Sequence, residues 1–317
     1  MKLLRLAPEK TNFPFMRFRR VSYPFSAFMS IVSVLLFIFI GMNFGIDFAG
    51  GTLIELRSNS GQADVKMLRD MGEHLGLGEI EVQSFGNSSD VTVRFGLQPG
   101  GDAAQSAAAE KVKSVVAGQF EVRRIEVVGP RVSGELVQSG TLGVVLAIIA
   151  VLAYLWFRFE WQFAVAAVTA TMHDLLLTVG FFSATQLEFN TTSIAAILTI
   201  VGVSLNETVV VLDRIREVMR KYKKSSIAEI IDMSINAVLP RTIMTSTTTM
   251  LALLALVLFG GSVIRSFSLS MMFGIMVATY SSIFICSPLL IYLGVRDAGP
   301  DVDGEAAPTT GKSSAKA

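Results

Sequence analysis

Long apolar runs separated by short polar segments dominate this chain. Six of them reach the roughly 20 residues that a helix needs to cross about 30 Å of hydrocarbon. They lie at residues 22–43, 139–157, 163–183, 193–213, 242–260 and 268–294. The composition agrees, because 51% of the 317 residues are hydrophobic and only 17% are charged. The pattern predicts an α-helical membrane protein with six transmembrane helices.

Residues 44–138 have a different pattern, with short alternating stretches and two helical ones. The stretches "TLIELR", "EIEVQSF", "DVTVRFG" and "EVRRIEVVG" alternate like half-buried strands, whereas "ADVKMLRDMGEHLG" and "AAQSAAAEKVKSVVAG" have helical spacing. The order is βαββαβ, which predicts a small α+β domain of ferredoxin-like topology. His74 has no second histidine or cysteine beside it, so we expect an exposed helix residue and no catalytic role.

Basic residues set the expected orientation, because they favour the cytoplasmic side of a membrane. They cluster before the first run and after the fourth, at Lys2, Arg5, Lys10, Arg17, Arg19, Arg20, Arg214, Arg216, Arg220, Lys221, Lys223 and Lys224. Six crossings place both clusters inside, together with residues 1–21 and 295–317, and place 44–138 in the periplasm. The first run is too long for a typical signal peptide and no A-x-A-like site follows it, so we interpret it as an uncleaved anchor.

Two further segments are expected on the cytoplasmic side. Within 214–241, Ser226 and Glu229 have capping-box spacing, which predicts a short amphipathic helix lying against the bundle. The tail 295–317 is rich in Ala, Pro, Gly, Ser and Lys, which is typical of disorder. The single cysteine, Cys286, excludes an internal disulfide and a thiolate metal cluster, and we expect no metal or cofactor.

The third apolar run contains His173 and Asp174 about a dozen residues from its cytoplasmic end. Charged side chains in spanning helices are costly, so they usually face the bundle interior or mark an ion path. Thr171, Asp174 and Thr178 share a face at i, i+3, i+7 spacing. The alternative is a structural hydrogen bond from the His173–Asp174 pair to a neighbouring helix.

The fourth run also has a polar stripe. Four residues share one face at helical spacing: Gly202, Asn206, Val210 and Asp213. Glu207 lies a helical step to the side. The alternative for Asp213 is an ion pair at the membrane surface with Arg214 or Arg216. The alternative for Glu207 is a carboxylic acid kept neutral by burial.

The fifth run adds a basic group, since Arg241, Thr245 and Thr248 form another stripe within "RTIMTSTTT". An acid on one helix and an arginine on the next is what a proton or cation relay requires. The guanidinium holds the carboxylate ionised and releases it when the geometry changes. The alternatives are an anchoring role for Arg241 at the interface and interhelical hydrogen bonds for the threonines.

Motifs along almost the whole chain resemble those of the SecF family, membrane subunits that work with SecD beside the protein-translocation channel. They are "NFGIDFAGGTLIEL", "VGPRVSGEL", "HDLLLTVGFF", "SLNETVVVLDRIRE", "LPRTIMTSTTT" and "LFGGSVIRSFSLSMMFGI". The resemblance implies a bacterial inner-membrane protein of resistance-nodulation-division type, half of a twelve-helix unit completed by SecD. It implies no enzymatic activity. The implied role is to use the proton-motive force to assist late export of unfolded polypeptide through SecYEG, with YajC and YidC as further candidate partners beside membrane lipid.

The resemblance also assigns residue roles by motif position. Asp213 and Arg241 correspond to the family's acid and arginine near the proton route. Gly50 and Gly51 lie where a hinge between the first helix and the outside domain is expected. Glu207 stands where many relatives carry aspartate, so a role that depends on side-chain length is in question there.

Three rival functions fit parts of the pattern. A small-molecule exporter of the same superfamily usually carries two large outside domains, and this chain has one small domain. An intramembrane aspartyl protease needs two facing aspartates, which Asp174 and Asp213 could supply, but no G-x-G-D motif is present. The third is a structural subunit that clamps SecD and the channel and has no relay of its own.

Overall fold

The computed structural model describes residues 11–78, 80–84, 87–260 and 262–295. Within them, six long helices accompany one small α+β domain. The elements in chain order are α1 Arg19–Phe39, α2 Ile46–Ala49, β1 Gly51–Ser58, α3 Val65–His74, β2 Ile80–Ser84, β3 Asp90–Phe95, α4 Gly101–Val116, β4 Phe120–Val128, α5 Pro130–Arg158, α6 Trp161–Thr185, α7 Thr191–Lys221, α8 Ile227–Phe259, α9 Ser262–Ser281 and α10 Ser287–Tyr292.

The soluble domain has the predicted βαββαβ order. Its sheet order is β2-β3-β1-β4, and all three strand pairs are antiparallel. This is the split arrangement in which each crossover leaves room for one inserted strand, so the ferredoxin-like prediction is confirmed. Alternate residues such as Ile54, Val93 and Phe95 are at most 1% exposed in the core beneath α3 and α4. His74 is exposed at the end of α3, as predicted.

The long helices divide into a buried centre and an exposed periphery. The centre consists of α6, α7 and α9, which contact one another, with α1 packed on α6 and α8 on α7 and α9. The last spanning helix runs from α9 into α10, and 67% of the residues in its most apolar part are buried. The corresponding fractions are 11% for α8 and 6% for α5. The bundle therefore leaves broad faces of α5 and α8 open.

Several helices extend past the apolar runs from which they were predicted. α5 begins at Pro130, nine residues before the expected start, because Pro130 occupies the first helical turn and Arg131 pairs with Glu135 at 3.2 Å. α7 continues through the basic stretch to Lys221, well past residue 213. A solvent-exposed helix tolerates polar residues, so the end of an apolar run marks the membrane boundary and not the helix end.

The prediction of a separate amphipathic helix within residues 214–241 is wrong. Ser226 and Glu229 do form the predicted capping box, but the helix that they begin continues as α8 for 33 residues through Pro240 to Phe259. Proline lacks the N–H that would bond to the carbonyl of Asn236. The hydroxyl of Thr11 donates to that carbonyl at 3.4 Å instead, which helps the helix to continue.

The two ends of the bundle are distinct. The domain end is the one at which α1 stops, α5 starts and the α6–α7 connection, residues 186–190, lies beside α2. The opposite end carries residues 11–18, the α5–α6 turn and the α7–α8 turn. The predictions for Lys2, Arg5 and Lys10 and for the tail from residue 296 lie outside the described residues.

Candidate functional site

Asp174 joins three helices near the middle of the bundle. Its side chain is 1% exposed. Its Oδ2 accepts hydrogen bonds from the Oγ of Ser204 on α7, at 2.6 Å, and from the Oγ of Ser281 on α9, at 2.8 Å. Counted along α6 at 1.5 Å per residue, Asp174 lies about 20 Å from one helix end and about 16 Å from the other. The acid is therefore fully withdrawn from both surfaces.

His173 completes this junction on the side of α1. Its Nδ1 lies 3.1 Å from Oδ1 of Asp174, and its buried Nε2 has no hydrogen-bond partner among the described residues. The ring lies 6.3 Å from that of Tyr280, centroid to centroid, and the Tyr280 hydroxyl lies 2.9 Å from Oγ of Ser26. Polar groups thus connect α1, α6, α7 and α9 through the apolar interior.

The predicted face of Thr171, Asp174 and Thr178 is buried, with all three side chains at most 2% exposed. Both threonine hydroxyls bond back to carbonyls of their own helix, Thr178 to that of Asp174 at 2.7 Å. The two threonine hydroxyls are therefore satisfied within α6, and the interhelical hydrogen bonds of this face are those of the Asp174 carboxylate.

The last spanning helix departs from α-helical geometry directly after Ser281. Residues Ser282–Cys286 form a π-helical turn before α10 begins. Ser287 closes the turn, because its hydroxyl donates to the carbonyl of Ser282 at 2.8 Å. Such turns insert one residue into a helix and are frequent at functional sites.

Glu207 is the second buried carboxylate, on α7 one helical turn from Ser204. It is 9% exposed, and its Oε1 accepts a hydrogen bond from Ser246 of α8 at 3.1 Å. Ser246 Oγ also lies 3.1 Å from Oγ1 of Thr279 on α9. The other oxygen, Oε2, is buried and has no partner among the described residues. Among the described carboxylates of the spanning helices, Glu207 is thus the one with a buried acceptor that lacks a partner.

Asp213 occupies a different environment, about 9 Å along α7 towards the opposite end. Its Oδ2 bonds to Nη2 of Arg158 at 2.6 Å, and its Oδ1 lies 4.0 Å from Nη1 of Arg216. The side chain is 40% exposed. The surface ion pair that the sequence allowed with Arg216 is present but long, and the main partner is an arginine at the α5–α6 turn.

Arg241 is exposed on α8, and no ion pair joins it to an acid within the described residues. The structure therefore does not bring Asp213 and Arg241 together. Asn206, Thr245 and Thr248 are exposed as well. These groups form an outward polar stripe on α7 and α8, with the hydroxyls of Thr245 and Thr248 bonded back to their own helix.

Gly50 follows α2 and Gly51 is the first residue of β1, with φ of +70° and +129°. A Cβ on Gly50 would meet the Leu97 side chain at 2.6 Å, and one on Gly51 would meet the backbone oxygen of Phe95 at 2.5 Å. Gly51 is paired with Val128 in the sheet. Backbone conformation and close packing both require glycine here.

Sequence reasoning missed the hydroxyl groups that surround the two buried acids: Ser204 and Ser281 at Asp174, Ser246 and Thr279 at Glu207, and Tyr280, which contacts Ser26. The one available signal was their spacing. Ser204 precedes Glu207 by three residues, and Thr279, Tyr280 and Ser281 form a polar triplet inside an apolar run. Within the described residues, no group of three or more His, Cys, Asp or Glu side chains is arranged to hold a metal ion.

A cavity of about 620 Å³ separates the open face of the sheet from the domain end of the bundle. Six acidic and three arginine side chains line it, so the wall carries excess negative charge: Asp47, Glu55, Glu81, Asp90, Glu126, Glu188, Arg94, Arg124 and Arg265. Burial raises the pKa of Glu188, Arg94 opposes this, and the neighbouring acids reinforce it.

The pKa of Glu188 gives a testable pH dependence. A carboxyl whose pKa is higher in the folded state than its ordinary 4.5 binds more protons folded than unfolded. Stability therefore falls as the pH rises from that ordinary value through the raised pKa. We expect Glu188→Gln to raise the Tm of the detergent-purified protein by a few degrees at pH 8 and to leave it unchanged at pH 4. Glu160→Gln, at the opposite end, is the control, and an equal gain at both pH values would contradict the assignment.

The fold and the site define a multi-pass membrane subunit with two buried carboxylates and an open polar face. A family profile described as "Protein export membrane protein SecD/SecF, C-terminal" matches residues 107–296, and one described as "SecD/SecF GG Motif" matches residues 35–61. The chain belongs to the SecD/SecF family of protein-export membrane proteins, and within it to the SecF type.

Relatives and solved structures agree. The chain is 48% identical over 294 residues to the protein translocase subunit SecF of Rickettsia bellii, covering 90% of this chain and 95% of that one. It is 43% identical to the SecDF of Brucella abortus, covering 96% of this chain and 41% of that protein. The crystal structure of the translocon-associated SecDF from Thermus thermophilus matches 92% of this chain with a TM-score of 0.81 at 34% identity. This chain spans 40% of that longer one.

Proposed function

We propose that this SecF-type subunit works with SecD to convert the proton-motive force into assistance for the late stage of polypeptide export through SecYEG. The observation that carries the proposal is the pair of buried carboxylates, Asp174 and Glu207, at the centre of the bundle, where uncharged hydroxyl groups surround them. Each charge that crosses the membrane field contributes about 2.3 kcal/mol per 100 mV, so a few protons per cycle would supply enough for a domain movement.

Glu207 is the proton carrier in this proposal. Its Oε2 has no partner among the described residues, so a proton placed there breaks no existing hydrogen bond. Its Oε1 meets a hydroxyl, which accepts or donates and so tolerates both states of the carboxyl. Asp213, already paired with Arg158 and 40% exposed, is less suited to that role and more to the cytoplasmic mouth of the path.

The charge distribution supports this direction of transfer. The described basic residues of the opposite end include Arg17, Arg19, Arg20, Arg214, Arg216, Arg220, Lys221, Lys223 and Lys224. The positive-inside rule supports a cytoplasmic position for this end and, with it, a periplasmic position for the soluble domain. The acid-lined cavity then opens on the periplasmic side, where its negative wall favours entry of cations. Glu207 lies about 24 Å along α7 from the domain end of that helix.

SecD is the proposed neighbour of the open stripe. Asn206, Arg241, Thr245 and Thr248 are exposed on α7 and α8, in a part of the bundle where a guanidinium facing lipid is costly. A second bundle that supplies a carboxylate to Arg241 would remove that cost. The chain covers only about two fifths of the longer SecDF proteins, which leaves room in them for a second bundle. Contacts with SecYEG, YajC and YidC rest on the family resemblance alone.

Two conservative variants test the assignment. Glu207→Gln keeps the size and the hydrogen bond from Ser246 but cannot release a proton, so we expect proton-dependent completion of translocation in inverted vesicles to fall at least about tenfold. Asp213→Asn keeps the size of a partly exposed side chain, and we expect it to lower proton-dependent completion of translocation by no more than about threefold. Both variants should reach the membrane and co-purify with SecD at normal levels.

The opposite results would redistribute the roles. If Asp213→Asn abolished proton-dependent export and Glu207→Gln did not, the relay would run through Asp213 and Arg241. If neither variant changed export, the chain would act as a clamp for SecD without a proton path of its own. The open faces of α5 and α8 are the observation that favours this second function.

A further inference from the structure

The junction between α1 and the periplasmic domain is fastened to the start of α7. The N–H and Oγ1 of Thr191, the first residue of α7, both donate to Oδ2 of Asp47, at 2.8 and 2.7 Å. Asp47 belongs to α2, the short helix that leads directly into β1. A carboxylate from the domain junction therefore covers the positive end of the helix that carries Glu207.

Two more contacts make this attachment stiff. The backbone of residues 43–45 pairs with Phe189 in the α6–α7 connection, with N–H to oxygen distances of 2.7 and 2.8 Å. From the sheet, Arg94 of β3 donates to the side-chain oxygen of Asn43 at 3.3 Å and to the carbonyl of Phe44. The same short segment is thus held by the domain on one side and by the bundle on the other.

Helix α7 has its own cap, independent of Asp47. Asn190 Oδ1 accepts from the Ser193 N–H at 3.1 Å, and the Ser193 hydroxyl accepts from the Asn190 N–H. This capping box forms without the junction, although the Thr191 N–H itself donates to Asp47. The contact of Asp47 adds a connection between two bodies and is not needed to begin the helix.

We infer that Asp47 is a positioning residue that transmits movement of α7 to the periplasmic domain. The inference rests on the proposed function, because it requires that α7 moves when Glu207 changes its protonation state. α7 is continuous from Thr191 to Lys221, so a shift at Glu207 reaches the domain end as a shift of the whole helix. Asp47 then transmits this shift through α2 into β1, so the proton itself does not have to reach the domain.

The test separates proton passage from export. We expect Asp47→Ala, in vesicles that contain the chain with SecD, to lower proton flow by no more than about twofold, because five of the six acids of the cavity wall remain, while export falls at least about fivefold. Thr191→Val removes one of the two hydrogen bonds and is expected to give an intermediate loss. Asn190→Ala is the matched control, since it removes an acceptor from the same helix end without touching the junction, and it should leave both quantities near normal.

Membrane level and co-purification with SecD are measured for every variant. Normal export by Asp47→Ala, beside a defective Glu207→Gln, would overturn the inference and leave the proposed function intact. Equal export losses in Asp47→Ala and Asn190→Ala would overturn it too, because the effect would then belong to helix capping in general. A parallel loss of proton flow in Asp47→Ala would show that Asp47 shapes the proton path and would also overturn the transmission role.

Discussion

Asp174→Ala is expected to leave almost no stable protein in the membrane. The change removes the carboxylate that accepts from Ser204 and Ser281 and that contacts His173. The two hydroxyls and the imidazole stay buried but lose this partner. Interhelical hydrogen bonds in membranes contribute about 0.6–2 kcal/mol each, so the loss of three contacts amounts to about 2–6 kcal/mol. We expect the Tm of the detergent-purified protein to fall by about 10 °C, and its steady-state amount in membranes to fall with it.

A second variant separates structure from charge. Asp174→Asn keeps an oxygen that accepts from the serines, so we expect most of the stability to return. Export by Asp174→Asn then reports whether the charge itself is needed. Thr171→Val is the control on the same buried face, because the Thr171 hydroxyl bonds only to its own helix, and it should cost less than about 1 kcal/mol. A fully stable Asp174→Ala protein would show that the junction does not hold the helices together.

Gly51→Ala is expected to unfold the α+β domain or to shift its sheet. The φ of +129° is strained for alanine, and its Cβ would lie 2.5 Å from the carbonyl oxygen of Phe95, a backbone atom with little freedom to move. Strain and overpacking together are expected to cost about 2–4 kcal/mol. The measurement is protease sensitivity of the domain in spheroplasts, together with thermal unfolding of the purified protein.

Gly61→Ala is the matched control for this site. Gly61 also has a positive φ, +97°, but no atom lies within 4 Å of its added Cβ. Alanine at this position therefore has the backbone strain without the clash, and we expect it to lower the free energy of unfolding by about 1 kcal/mol. A stable Gly51→Ala protein that fails to export would contradict the steric account and would support the hinge role that the family resemblance implies.

The fold was largely predictable because two periodicities dominate the chain. Strand alternation in residues 52–129 indicates which side chains enter the domain core, and the βαββαβ order is typical of the split arrangement that the sheet adopts. Helix ends were not predictable in the same way. Pro240 and the polar residues before it resemble a helix boundary, and the hydroxyl that satisfies the freed carbonyl comes from Thr11, 225 residues away in the sequence.

The site was predicted in part, for a similar reason. Spacing along one helix showed that Thr171, Asp174 and Thr178 share a face, because that relation is local. The partner of Asp213 is not local: Arg158 lies 55 residues earlier, and the sequence offered the nearer Arg214 and Arg216. Serines such as Ser204 occur in many apolar helices as ordinary residues. Only packing shows which of them meets a carboxylate.

The unbroken course of α8 has a mechanical consequence. Its 33 residues span about 50 Å, of which about 30 Å cross the hydrocarbon, so about 20 Å project beyond it at the end opposite the domain. If such a rod pivots at its midpoint, a tilt of about 10° moves each tip by about 4 Å. Residues 11–16 would travel with it, because Asp232 and Asn236 hold them by hydrogen bonds. A spectroscopic probe at the exposed Met233 would therefore report small rearrangements inside the bilayer as larger displacements in the aqueous phase.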